Sequence, residues 1–331
     1  MFGSGSGGRV ASVSVDLDSL ECYYRIHALE GLPPADVRFA ILRRCLPRFR
    51  ELFARHNLRA TFFVVGRDLD EDAEGRASLA QLAREGHELG NHSYSHPYDL
   101  VRLGPVAIAS EIDRAHGAIA ACAGAAPIGF RAPGYEVSAD VIDILRARGY
   151  RYDSSAFPSA PYYGAKAAIM GLMQVVGRKS GSFLGSPRVV MAPRRPYRPS
   201  AGAPYRRGDL DIVELPVAVT RWLRLPVFGT SLITAPEWMR QRMVSAALNE
   251  PFFNLELHGI DLCDAEADRI PAELVARQPD LRRPLAAKLA ALDATLTECR
   301  KFPGPMWEIG QNFVRHALRQ RPSGSSRSIP A

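Results

Sequence analysis

The feature that most constrains the fold is an alternation. Short apolar runs, most of them ending on polar residues, are separated by stretches of helical periodicity. The runs are RVASVSVD (9–16), ATFFVVG (60–66), HELGNH (87–92), IGFRAP (128–133), RYDSS (151–155), DIVELPV (211–217) and FFNLELHG (252–259). Between them the spacing predicts helices over 36–56, over 78–85 with Gly86 as the stop, over 104–123, after an N-capping Ser138, from Pro236 to about Leu248, and over 282–300. Strands alternating with helices imply a mainly parallel sheet or barrel of the α/β class. In such barrels the chemistry sits where strands end and loops begin. The polar residues at these ends are Asp16 and Asp18, His92 and His96, Arg131, Asp153 and His258. They are far apart in sequence, and a closed barrel would bring them to one rim.

His92 and His96 lie four residues apart in NHSYSHP. On one helical turn such a pair faces one way and can share a metal, but many such pairs are only solvated. HELGNH begins like a zincin motif, yet position 91 is Asn, so His87 has no partner at that spacing. His27, His56, His87 and His116 read as structural or exposed. Glu214 reads equally well as lining the site or ending a strand.

Composition excludes several classes. The chain has 331 residues, 47% hydrophobic and 23% charged, which is ordinary for a globular protein. It has no apolar run long enough to span a bilayer. MFGSGSGGRV lacks a signal-peptide core, and five scattered cysteines without a CxxC predict reduced thiols and a cytoplasmic location. The net charge is +7, but 154–208 contains nine Lys and Arg and no Asp or Glu. The remainder is therefore −2 (7 minus 9). A local basic insertion without a recognisable module argues against nucleic acid as the partner.

The motifs resemble, in order, those of the NodB-type polysaccharide deacetylases, carbohydrate esterase family four. VDLDS resembles the variant of the first motif in which two aspartates flank one residue; HSYSH, RAPGY, YDSS and LELH follow. The resemblance runs from about Val10 to His258. It implies a distorted (β/α)7-type barrel in a single domain. Asp16 would be the catalytic base and Asp18, His92 and His96 the metal ligands. Arg131 would be the partner of the base, and Asp153 a helper of the acid, His258. Gly134 and Tyr135 would serve the oxyanion, and Leu257 would line the acyl pocket. Where the family often has Tyr after the Pro of the third motif, this sequence has Gly134 and then Tyr135. The fourth motif lacks the family's second acid and Trp. The implied cofactor is one divalent metal, with Zn²⁺ the default and Co²⁺, Ni²⁺ or Fe²⁺ fitting the same ligands.

The resulting expectation is hydrolysis of an N-acetyl or N-formyl group on an amino sugar, lipid-linked or phosphate-bearing. The formamido-arabinose lipid deformylases are a similar branch. Two other readings stay open: an allantoinase-like amidohydrolase of non-sugar substrates, and an inactive pseudoenzyme that binds glycans or membranes. The expected organisation is a flexible N-terminus at 1–9, the barrel domain at 10–313 with an insertion at 156–209, and a disordered basic tail at 314–331. The insertion holds the apolar stretch 167–176 with basic flanks. It reads as a plain cap, as a lid, or, through 165–207, as a peripheral contact with an anionic membrane at its inner face.

Overall fold

In the computed structural model, which describes residues 9–175, 177 and 179–302, the seven apolar runs become seven strands, and the insertion adds two more, nine among the described residues. They are β1 (Val10–Asp16), β2 (Thr61–Val64), β3 (Glu88–Asn91), β4 (Gly129–Phe130), β5 (Tyr152–Asp153), β6 (Pro199–Ser200), β7 (Ala203–Arg207), β8 (Val213–Glu214) and β9 (Phe252–His258). Seven of them form one sheet in the order β8-β5-β4-β3-β2-β1-β9, every neighbouring pair parallel. The other two, β6 and β7, pair as a small antiparallel ribbon. Helices α1 (Leu20–Ile26), α2 (Leu46–Arg55), α3 (Gly66–Glu71), α4 (Ala73–Arg84), α5 (Pro105–Ala123) and α6 (Ala139–Ala147) connect the first strands. After β5 come α7 (Ala160–Val175), α8 (Gly229–Thr234), α9 (Glu237–Leu248), α10 (Ala272–Val275) and α11 (Leu285–Cys299). This is the distorted (β/α)7 barrel.

The sheet curls without β8 and β9 pairing directly. The segment after β8 bridges the gap: Ala218 N–H donates to Asn254 C=O (3.1 Å), and Asn254 Nδ2 donates to the carbonyls of Leu215 (3.0 Å) and Pro216 (3.2 Å). A buried Asn thus satisfies backbone groups that a missing ladder would leave orphaned. On β2, alternation sends Phe62 outward to Phe53 of α2 (ring centroids 5.9 Å apart) and Phe63 inward beneath Arg131. Phe53 and Phe62 are both fully buried, each contributing roughly 2 kcal/mol. Gly129 is required where it stands, because a Cβ there would lie 2.0 Å from the buried Tyr152 ring.

Several boundaries differ from the sequence expectation. The helix expected over 36–56 is π-helical at Ile41–Cys45 and regular only from Leu46. Pro47 has no N–H to give to the carbonyl four residues back, so a wider turn precedes it. The helix expected from 282 starts at Leu285, just after Pro284. Ser138 caps α6 as expected, accepting from the Val141 N–H. Residues 1–8 and 303–331, with most of the expected N-terminus and the whole basic tail, lie outside the described residues. Arg9 is described, with its guanidinium 5.7 Å from the Phe302 ring centre.

Candidate metal and acid–base site

The strand register builds the site. Asp16 pairs with Phe63 of β2 and His258 of β9, Asn91 with Val64 and Phe130, and Asp153 with Phe130 and Glu214. The carboxyl ends of all seven parallel strands therefore fall in one row.

Asp18, His92 and His96 meet just past that row. His92 Nε2 lies 3.1 Å and His96 Nε2 3.2 Å from Asp18 Oδ1. All three side chains are buried. Burial raises the Asp18 pKa, but the flanking His96 and His92 imidazoles outweigh it and hold the carboxyl well below its usual range. Burial lowers the His96 pKa, and the Asp18 carboxylate outweighs this and pushes it up to about 10. The histidines converge through a loop and not through the helical turn that their spacing allows. Ser93 (φ 63°) and His96 (φ 54°) are left-handed, and Asn91 Oδ1 accepts from the Ser93 N–H at 2.8 Å. His92 Nδ1 is 2.7 Å from the Arg131 carbonyl oxygen, which fixes the ring. Among the described residues neither nitrogen of His96 makes a well-aligned hydrogen bond, although Nε2 lies beside Asp18 Oδ1. Two imidazoles and a carboxylate with buried, under-used ligand atoms fit a divalent cation that keeps open positions.

Asp16 stands on one side of this cluster. Arg131 Nη1 donates to its Oδ1 at 2.5 Å and to Ser14 Oγ at 3.0 Å. Arg131 is fully buried, and its Nε and Nη2 donate to Ser154 O and Oγ, both at 2.8 Å. The guanidinium lies 4.3 Å from the Phe63 ring centre. Burial raises the Asp16 pKa; Arg131 opposes that without cancelling it.

His258 stands nearby on β9, and its partner is a residue the sequence reading missed. Glu256 Oε1 is 2.9 Å from His258 Nδ1, and Glu256 is fully buried. Two residues apart on a strand, they share a face. Burial lowers the His258 pKa, but the Glu256 carboxylate outweighs it and holds the imidazole well above its ordinary range. Tyr135 Oη is 3.2 Å from His258 Nε2. Gly134 (φ 66°) and Tyr135 (φ 68°) form a left-handed pair, and the Tyr135 N–H donates to the Ala132 carbonyl.

Two expected roles are corrected. Asp153 does not reach His258. It accepts from Ser155 Oγ (2.6 Å) and lies against Glu214, its partner in the strand register. Burial raises the pKa of both acids, and Asp153 raises that of Glu214 further. Leu257 does not line the site either: alternation turns it to the opposite face from His258, into the core beside α8. The other histidines lie elsewhere. His56 meets Asp293 (3.0 Å), His87 the Ala60 N–H (3.1 Å), His116 Tyr150 (3.1 Å) and His27 Gln278 (2.9 Å).

A parallel barrel with an Asp–His–His cluster, an Asp–Arg ion pair and a Glu–His pair on its carboxyl rim falls in the class of rim-site α/β barrels. Residues 40–152 match the family model described as polysaccharide deacetylase. The chain is 30% identical over 125 residues to a peptidoglycan deacetylase of Helicobacter pylori, covering 36% of this chain and 40% of that one. It is 37% identical over 90 residues to a chitooligosaccharide deacetylase of Bradyrhizobium, covering 27% and 39%. The matches thus span about two-fifths of these relatives' length. A crystal structure of a Mycobacterium smegmatis protein assigned to the polysaccharide deacetylases shares the fold, with TM-score 0.59, 19% identity, and coverage of 99% of this chain and 97% of that one. Over residues 40–152 the chain is thus similar to the polysaccharide deacetylases, and over its whole length it shares their fold.

Proposed function

We propose that this chain is a divalent-metal-dependent hydrolase that removes an N-acyl group, acetyl or formyl, from an amino sugar that is lipid-linked or carries phosphate. The observation that carries the reading is the juxtaposition of Asp18–His92–His96 with the ionic pair Asp16–Arg131 and with His258. The names of the relatives, deacetylases of peptidoglycan and chitooligosaccharide, support an N-acetylated sugar as the substrate class.

Asp18, His92 and His96 would hold the ion, with Zn²⁺ favoured by the ligand types. Such an ion makes water more acidic and draws electron density from a carbonyl. Asp16, ionised against Arg131, accepts the proton of the attacking water. Arg131 is itself fixed by Ser154 and Phe63, so the base is held in one orientation. His258, kept protonated by Glu256, gives its proton to the departing amine. An amine leaves poorly without that proton, so an acid distinct from the base is required. Tyr135, 3.2 Å from His258 Nε2, would orient that ring, and the Gly134 backbone N–H would serve the oxyanion.

The phosphate or lipid part of the reading draws on the insertion. Lys166 of α7 reaches the Gly134 carbonyl (3.4 Å), which places a cation next to the loop after β4. The test is metal content and released acetate or formate, measured on wild type, His92→Ala and Asp16→Ala. Wild type should hold about one divalent ion per chain, the number one set of three ligands can take. His92→Ala should lose the ion; Asp16→Ala should keep it and lose turnover. Normal turnover in Asp16→Ala would refute the assignment of the base.

A further inference from the structure

The helix α7 is out of place for a water-facing element. It has no buried residue, and its only charged side chain is Lys166. Leu172 is 66% exposed and Val175 83% exposed. With Ala168 and Gly171 they make an outward face without a polar side chain. A helix face this apolar belongs in a protein interior or against lipid. Sixteen residues rise about 24 Å, too short to span a bilayer.

The helix is a strap tied at both ends. At its start Ser159 Oγ donates to the Arg224 carbonyl (2.7 Å), and Tyr162 packs against Phe228 and Tyr135 (ring centroids 6.1 and 6.0 Å). Beyond its end Ser180 Oγ donates to the Ile26 carbonyl (2.7 Å) and the Gly181 N–H to the Arg25 carbonyl (2.8 Å). The strap therefore runs from the segment before α8 to the end of α1, beside the candidate site.

More exposed apolar surface adjoins its first tie. Arg224 Nη1 donates to the carbonyls of Val190 (2.5 Å) and Ala192 (3.0 Å), which brings the 220–225 loop against Met191. Trp222 is 84% exposed, and Leu223 and Met191 are also exposed. Arg221 stacks on Trp222 (4.9 Å to the ring centre). The two segments that make this face, 154–208 and 215–236, contain no Asp or Glu. Arg194 and Arg195 are paired with Glu250, but Lys179, Arg188 and Arg221 are exposed.

We propose that this face, the outer side of α7 with Trp222, Leu223 and Met191, seats on an anionic phospholipid surface. Apolar side chains enter the interface, tryptophan sits at head-group level, and the acid-free basic rim meets lipid phosphates. Charge separates this occupant from a second copy of the chain. In a two-fold dimer the patch would face itself, and its basic rim would oppose an identical basic rim. The proposal stands apart from the catalytic reading, since seating on lipid needs no turnover.

The experiment is vesicle flotation of the full chain, with phosphatidylcholine alone and with phosphatidylcholine plus phosphatidylglycerol. Wild type should float with the anionic vesicles, with a blue shift of tryptophan emission, and far less with phosphatidylcholine. Leu172→Ser/Val175→Ser and, separately, Trp222→Ser should each weaken binding at least about tenfold. The substituted side chains are exposed, so the variants should keep the wild-type melting temperature. Absence of binding, or variants that float like wild type, would overturn the proposal. So would a dimer in sedimentation analysis that Leu172→Ser dissociates, which would give the face to a second copy.

Discussion

Replacing Glu256 by Gln should move the whole pH–rate profile toward acid. Glu256 Oε1 and His258 Nδ1 are 2.9 Å apart, and Glu256 is fully buried. Two unit charges about 4 Å apart at an effective dielectric constant near 20 interact by about 4 kcal/mol. The glutamine oxygen still accepts from Nδ1–H, returning about 1 kcal/mol, so roughly 3 kcal/mol of the preference for the protonated ring should be lost. The sign follows for each limb. His258 must be protonated to act as the acid, so activity is lost as pH rises through its raised pKa, and without Glu256 that loss comes at lower pH. Asp16 must be ionised to act as the base, so activity is lost as pH falls through its pKa. Glu256 contributes to raising that pKa as well, so the acid limb also moves down. The assay is kcat/KM against pH for acetate release from a short N-acetylated chitooligosaccharide, wild type against Glu256→Gln. A bell that shrinks without moving would refute the coupling and leave Glu256 a packing residue.

Three further outcomes are expected. Arg131→Met leaves Asp16 buried without its partner and should cost about 3–5 kcal/mol, read as a fall in urea midpoint; Arg131→Lys should not restore it, because lysine lacks the planar fork. Burial raises the Asp68 pKa from its ordinary value to about 7, so the folded chain binds the extra proton between about pH 4 and 7, and stability falls as pH rises through that window. Asp68→Asn should therefore stabilise by up to roughly 4 kcal/mol above pH 7 and by little near pH 4, as melting curves across pH would show. Gly129→Ala drives a Cβ into Tyr152 and should prevent accumulation of folded protein; full solubility and an unchanged melting temperature would contradict the packing described here.

Much of the barrel was legible in the sequence because parallel strands buried on both faces read as apolar runs between helical stretches. The strand-end residues were legible for the same reason: a polar residue stands out where an apolar run stops. What was not legible has definite causes. His92 and His96 converge through left-handed residues at Ser93 and His96, which neither residue type announces. The face taken by Leu257 is hidden because FFNLELH is buried on both sides, so apolarity does not separate the faces. A glutamate inside that strand was nonetheless a signal. Period-2 alternation places Glu256 on the face of His258, and that would have identified the partner assigned instead to Asp153. The pairing of Asp153 with Glu214 depends on strand register across some sixty residues of insertion, which no local pattern encodes.

The register of β1 against β9 has a consequence for how such a protein can change. Asp16 and His258 are opposite one another in adjacent strands, so main-chain hydrogen bonds set the distance between them. The insertion after β5 and the loop before α8 can then lengthen, shorten or exchange their side chains without moving either residue. Exchanges in those two segments would therefore change what surrounds the rim while the spacing of Asp16 and His258 stays fixed.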